Sequence, residues 1–197
     1  ERLRLLVGVA DVVPKLIAYR VLEPALHLPE PVQLMCDERG LVELLTELAE
    51  HRLDLVLSDS PLPPTSATRA YSHLLGECSV CIFGSRSLAR KFRRGFPQSL
   101  DGAPFLLPSR KSMLRRSLDQ WFDAQNIRPE LLGEFDDSAL LKVFGQAGVG
   151  LFPGPAAVEK ETCRQYHVQP VGHLDAVRER FYAISVERKL KHPAVKA

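Results

Sequence analysis

Residues 3–59 and 103–153 run through one order of elements twice, and that order limits the chain to very few folds. In the first passage LRLLVGVAD (3–11) is a strand and Pro14 opens a helix reaching about Ala25. PVQLMCDE (31–38) is a second strand, and LVELLTELAEHRL (41–53) is a helix whose apolar stripe is Leu41, Leu44, Leu45 and Leu48. LDLVLSD (53–59) then reads as a buried strand, and Pro61-Leu-Pro-Pro64 closes the unit with a loop. In the second passage APFLLP (103–108) is a strand. SRKSMLRRSLDQWFDAQ (109–125) is a helix with Met113, Leu114, Leu118, Trp121 and Phe122 inward. ELLGEF (130–135) is a strand, a helix starts at Ser138, and VGLFP (149–153) is the closing strand. Two β-α-β-α-β passages are the pattern of parallel sheets with crossover helices.

The stretch GEFDDSALLKVFGQAGVGLFP (133–153) is the most informative part of the second passage. Leu140, Leu141, Phe144 and Ala147 recur at the three-and-four spacing that turns one helix face to a core. Asp136, Asp137 and Ser138 stand where a helix start needs acceptors for its unpaired N–H groups. Gly148 and Gly150 flank Val149 in a sharp reversal before Leu151 and Phe152. Polar side chains thus gather at the end of the sheet where open α/β folds place ligands.

YSHLLGECSVCIFG (71–84) is long enough to leave one lobe and enter the other. YHVQPVG (166–172) reads as the return crossing, RFYAISVER (180–188) as a further strand, and KLKHPAVKA as a helix start or tail. Two crossings imply two discontinuous lobes, residues 1–81 with 167–197 and residues 82–166. The expected fold class is therefore α/β: two Rossmann-like lobes joined by two crossover strands, periplasmic-binding-protein-like (type II). A two-stranded hinge of this kind permits closure around a ligand.

Bulk properties exclude several functions. A net charge of +2 over 197 residues does not mark a nucleic-acid surface, and no basic run with interleaved aromatics is present. Arg86, Arg90, Lys91, Arg93 and Arg94 form the densest basic cluster, read as a solvated helix or loop face. No run of 18 apolar residues exists and no signal peptide opens the chain, so no membrane partner is expected. The chain starts at Glu1 without an initiator Met, as a piece of a longer protein would.

Cys78-Ser-Val-Cys81 has redox or zinc spacing, but in a strand those residues point to opposite faces, and no second CxxC or nearby His pair accompanies them. Cys36, Cys78, Cys81 and Cys163 are therefore read as buried structural thiols in a reducing, cytoplasmic setting. The six histidines, His27, His51, His73, His167, His173 and His192, show no metal-ligand spacing. There is no G-x-S-x-G elbow, HExxH or P-loop, and no nucleophile–base pair, so neither an enzyme nor a cofactor is expected.

LRLLVGVADVVPKLI, HRLDLVLSD and QAGVGLFP, in this order, resemble the effector-binding domain of LysR-type transcriptional regulators. RLDLVLSDSP, LGECSVCIFG, LLPSRKSMLRRSLDQWF, LGEFDDSALLKVFG and ER-x3-HPAV resemble in particular the regulators of sodium/proton antiporter genes within that family. The resemblance implies an activator answering sodium or alkaline stress. It also implies a homodimer pairing first lobe to second, and a tetramer in the full-length protein. DNA would be bound by an N-terminal winged helix-turn-helix outside this chain.

Strand ends from both lobes should converge on one effector cleft: Ala10, Asp11 and Asp59 from the first, and Ser109, Arg110, Lys111, Ser112, Asp136, Asp137 and Pro153 from the second. The family's cleft falls at the positions matching Ala10–Asp11, Ser109–Ser112 and the turn around Asp137. The expected ligand is a small polar or ionic effector, and two chemistries stay open. Helix N-termini with Ser109, Arg110 and Ser112 suit a small anion, whereas Asp11, Asp136 and Asp137 suit a hard cation such as sodium, with Asp11 and Asp137 as its metal ligands. The plainer account is that Asp11, Asp137 and Ser138 are helix caps and that Arg110 and Lys111 pair with the carboxylates. The rival function is a periplasmic-type solute-binding protein, which shares the two-lobe design.

Overall fold

The computed structural model describes residues 3–187. The expected helix or tail at 189–197, with His192 and the HPAV segment, lies outside the described residues. Two compact units are present: residues 3–76 with 180–187, and residues 77–179. They divide inside the long strands β4 (Tyr71–Gly84) and β8 (Gln169–Ser185), which are the two crossings. The segments expected as a crossing at 166–172 and a separate strand at 180–188 are thus largely one 17-residue strand.

In the first unit, β1 (Leu3–Ala10) lies parallel to β2 (Val32–Arg39) on one side and to β3 (Leu55–Ser58) on the other. β8 then runs antiparallel to β3, with Val56 opposite Ile184. Leu5, Val7, Val9, Val56 and Leu57 are buried, as a central parallel strand covered by helices requires. The helix α1 (Lys15–Leu22) continues as a 3-10 turn over Glu23–His27, so the expected helix to Ala25 ends early and tightens. α2 (Leu41–Ala49) buries Leu44, Leu45 and Leu48, three of the four stripe residues.

The second unit is built on β4, β5 (Pro104–Pro108), β6 (Glu130–Phe135) and β7 (Phe152–Pro155). β5 and β6 are parallel, while β7 pairs antiparallel with β4. Leu106 N–H donates to Leu151 O and Leu151 N–H to Pro104 O, which brings β7 alongside β5. α3 (Arg86–Arg93) carries the basic cluster: Ala89 and Phe92 are buried while the cationic residues are exposed, the solvated face expected. α4 (Met113–Gln125) starts four residues later than expected. It buries Leu118 and Phe122, but Met113 is exposed instead of inward. The helix α6 (Glu159–Tyr166) has no counterpart in the sequence reading, because its charged sequence EKETCRQY carries almost no apolar stripe.

α5 (Ser138–Gln146) corrects an expectation more sharply. Leu141 is only 3% exposed, but Leu140 is 50% and Phe144 42% exposed, and Ala147 is exposed as well. The helix packs with Leu141, Lys142 and Gly145 inward, rotated from the face that hydrophobicity favours. The cause is Gly145. The Phe152 ring lies so near it that a Cβ there would stand 2.3 Å from ring carbons, and this lets β7 approach the helix at that point.

Candidate functional site

Most of the residues singled out in the second unit lie on two adjoining turns. Parallel pairing of β5 and β6 sets their C-terminal turns side by side, with Pro108 level with Phe135. Ser109 N–H donates to Phe135 O at 2.8 Å, stitching the turns together. Lys111 Nζ reaches Asp136 Oδ2 at 3.2 Å. Hydrogen bonds from Ser109 and then Lys111 hold the Asp136 carboxyl below its ordinary value.

Both helices that leave these turns are capped from within them. Ser112 Oγ accepts from Arg115 N–H at 3.0 Å at the start of α4, and Asp137 Oδ1 accepts from Ala139 N–H at 2.7 Å at the start of α5. Asp137 is thus a helix cap. Arg110 is exposed, and its carbonyl accepts from Arg116 Nε at 3.3 Å. Pro153 is buried within β7, opposite Ile82 of β4, away from these turn-to-turn bonds.

Beneath the turns lies a residue that the sequence reading missed. Arg115 is buried, and its guanidinium donates to Pro108 O at 2.9 Å, Glu134 Oε2 at 2.7 Å and Asp119 Oδ1 at 2.9 Å. Burial works against its charge, but the bonds it donates to Glu134 and Asp119 outweigh it and hold the group above its ordinary value. At the sequence level it looked like one of several basic residues on an amphipathic helix, with no mark of its inward position.

In the first unit Ala10 is buried at the end of β1, and Asp11 N–H donates to Arg39 O at 3.0 Å. Pairing of Val9 with Leu57 carries Asp11 and Asp59 to the same end of the sheet, two residues beyond that pair. Asp11 is not the N-cap of α1. That position is Pro14, whose carbonyl accepts from both Ile17 and Ala18 N–H at 3.0 Å. Elsewhere in this unit, α1 and β2 enclose a groove of about 290 Å³ lined by Val9, Ala18, Tyr19, Leu22, Leu34 and Cys36, beside the Lys15–Glu38 ion pair of 2.6 Å. None of the expected effector residues lines it.

Cysteine and histidine also meet where no spacing announced it. Cys81 of β4, Glu159 of α6 and His173 of β8 place their polar atoms together in the second unit. Burial pushes the Cys81 thiol far above its ordinary value, and the Glu159 carboxylate raises it further.

The family described as the LysR substrate binding domain matches residues 1–197. The chain is 37% identical over 189 residues to the transcriptional activator protein NhaR of Escherichia coli (strain K12), and equally to that of Shigella flexneri. Those alignments cover 96% of this chain and 62% of each relative, so the chain spans under two thirds of their length. Among solved structures, the Synechocystis PCC6803 CcmR regulatory domain in complex with 2-PG superposes with a TM-score of 0.69 at 14% identity, over 94% of this chain and 88% of that one. The effector binding domain of QuiR in complex with shikimate gives 0.67 at 12%, over 100% and 93%. Vibrio fischeri DarR in complex with DNA gives 0.71 at 18%, over 98% and 65%. The fold is thereby the α/β, type II periplasmic-binding-protein-like fold of such regulatory domains.

Proposed function

The chain belongs to the LysR substrate-binding domain family, and on that premise we propose that it is the effector-sensing domain of a transcriptional activator of sodium/proton antiporter genes. The observation that carries this reading is the 37% identity to NhaR along 96% of the chain. DNA binding then belongs to an N-terminal winged helix-turn-helix outside these residues, and the working compartment is the cytoplasm. LysR-type regulators are generally not enzymes, and we assign this chain no catalytic role. The family match favours this reading over a periplasmic solute-binding protein.

The effector is small and polar or ionic, and its contacts in the second unit are Ser109, Arg110, Lys111, Ser112, Asp136 and Asp137. The Lys111–Asp136 pair supports that class, because both ends are exposed and an incoming ion of either sign has one of them to replace. An anion takes Lys111 and Arg110; a hard cation such as sodium takes the Asp136 and Asp137 oxygens. In the first unit, taken by itself, the proposed contacts are Ala10, Asp11 and Asp59 at one end of its sheet.

The domain pairs as a homodimer. Two exposed apolar surfaces support this. One is Tyr19 and Leu26 on α1 and the turn that follows it, and the other is Leu140, Val143 and Phe144 on α5.

A thermal-shift screen over sodium, lithium, potassium and small carboxylates at constant ionic strength tests the effector assignment. A ligand at 100 times its Kd adds about 2.7 kcal/mol, a readily measured shift. Sodium sensing predicts a cation-specific shift that Asp136→Asn removes. A screen with no shift from any of these ions would sink the small-ion reading.

A further inference from the structure

We infer that Cys81, Glu159 and His173 form a binding site for a zinc-class divalent cation, with water from the exposed His173 side as its fourth ligand. The three residues lie far apart in sequence, on β4, the first turn of α6 and β8, yet all belong to the second unit. β4 and β8 are neighbours in the sheet and are tied by the Arg178–Glu77 ion pair of 3.3 Å. Four residues onward in β4 and five back in β8 bring Cys81 and His173 to one level. α6 lays Glu159 over both.

The distances suit a metal. His173 Nε2 is 3.2 Å from Glu159 Oε1, Cys81 Sγ is 3.5 Å from the same oxygen, and all three ligand atoms lie within 4.8 Å of one another. Around a tetrahedral zinc ion, with Zn–S about 2.3 Å and Zn–N and Zn–O about 2.0 Å, neighbouring ligand atoms stand roughly 3.5 Å apart for S···O and roughly 3.3 Å for N···O. The same separations serve two hydrogen bonds into Glu159, so the ion and the protons compete for one set of atoms. Metal binding would release the Cys81 proton to solvent.

The donor set decides the class of ion. One thiolate, one imidazole and one carboxylate suit a borderline-soft ion of the zinc type and not sodium, calcium or magnesium, which take oxygen ligands. Cys163, four residues after Glu159 on α6, packs against the apolar cluster that contains Cys81 but stands outside the group of atoms within 4.8 Å, so it is not counted as a ligand. Access is open from the His173 side, whose ring is half exposed, while the Cys81 side is sealed by the core. An ion there would tie α6 to both long strands.

The test uses the chain stripped with EDTA and kept reduced by a phosphine. Zinc is titrated against a chromophoric chelator, and cobalt(II) is used for its absorption spectrum. The expected result is one equivalent bound more tightly than about 1 μM, with an intense tetrahedral cobalt band and thiolate-to-cobalt charge transfer. Glu159→Gln and His173→Gln should weaken zinc binding roughly 100-fold, the upper end of what loss of even an outer-shell partner costs. Both side chains are partly exposed, so these variants keep the fold, whereas Cys81→Ser puts a hydroxyl into the buried core. Weak octahedral cobalt without charge transfer, or unchanged zinc affinity in both variants, would overturn the site.

Discussion

Arg115 and Glu134 join helix to strand across the second unit: Nη1 donates to Oε2 at 2.7 Å from a guanidinium only 5% exposed, while the carboxylate stays 44% exposed. The same nitrogen also donates to Pro108 O, and Nε is held by Asp119 one turn along α4. One side chain therefore fixes the C-terminal end of β5, its partner strand β6 and the helix that follows. The Ser109–Ser112 turn is carried on that frame.

Replacing Arg115 should accordingly cost more than replacing either partner. Lysine cannot reproduce the fork, so Arg115→Lys loses at least one charge-assisted hydrogen bond, about 1.5–3 kcal/mol. Glu134→Gln leaves the guanidinium bonded to Asp119 and Pro108, and its half-exposed partner falls near the value of a surface pair, about 1 kcal/mol or less. Chemical denaturation of the two variants checks the order. Equal losses would show that the exposed carboxylate and not the buried guanidinium governs the frame.

Asp136 makes the pairing of the turns pH-dependent. Its carboxyl is held below the ordinary range by Ser109 and Lys111, so the folded state binds this proton less readily than the unfolded chain. Its contribution is complete above the unfolded carboxylate range and disappears as pH falls through the lower folded value. The group is exposed, so the effect on global stability is small, and the direct readout is carboxyl NMR. The Asp136 resonance should titrate below that of an unpaired aspartate, and Lys111→Met should move it upward. A midpoint unchanged by that substitution would count against the Lys111 contact.

Gly145 tests the packing that rotates α5. A Cβ there would lie 2.3 Å from Phe152 Cδ1 and Cε1, closer than any real contact, so Gly145→Ala forces the helix or the ring to move. Despite alanine's better helix propensity, the variant should lose about 1–3 kcal/mol. Gly76→Ala is the control, since nothing lies within 4 Å of its added carbon, and it should be neutral or gain a few tenths of a kcal/mol. Comparable stability in the two variants would mean that Phe152 yields freely.

The sequence was most legible where local chemistry acts alone. The β-α-β-α-β order, the strand at 71–84 and the capping role of Asp137 follow from periodicity, strand propensity and acceptor placement, and the structure shows all three. What failed depended on partners distant in the chain. Leu140 and Phe144 are apolar at core spacing, yet Gly145 and Phe152 decide which face turns in. Arg115 carries no sign of burial, because its acceptors come from β5 and β6. Cys81, Glu159 and His173 are separated by 78 and 14 positions, so no spacing rule for metal ligands reaches them.

The outward face of α5 yields the last prediction. Leu140, Val143 and Phe144 leave a helix apolar on both sides. A helix exposing this much apolar area is expected to be covered by a partner. If a second copy covers it, Val143→Glu should shift sedimentation toward monomer at roughly tens of micromolar, because a charge would be desolvated in the interface. Stability of the chain itself should change by no more than about 0.5 kcal/mol, since Val143 is 54% exposed. Leu141→Ala gives the opposite pattern: its side chain is buried within the chain, so about 2–5 kcal/mol of folding stability is lost. The two variants separate association from folding one position at a time. If Val143→Glu leaves an associating chain unchanged, the dimer does not use this face.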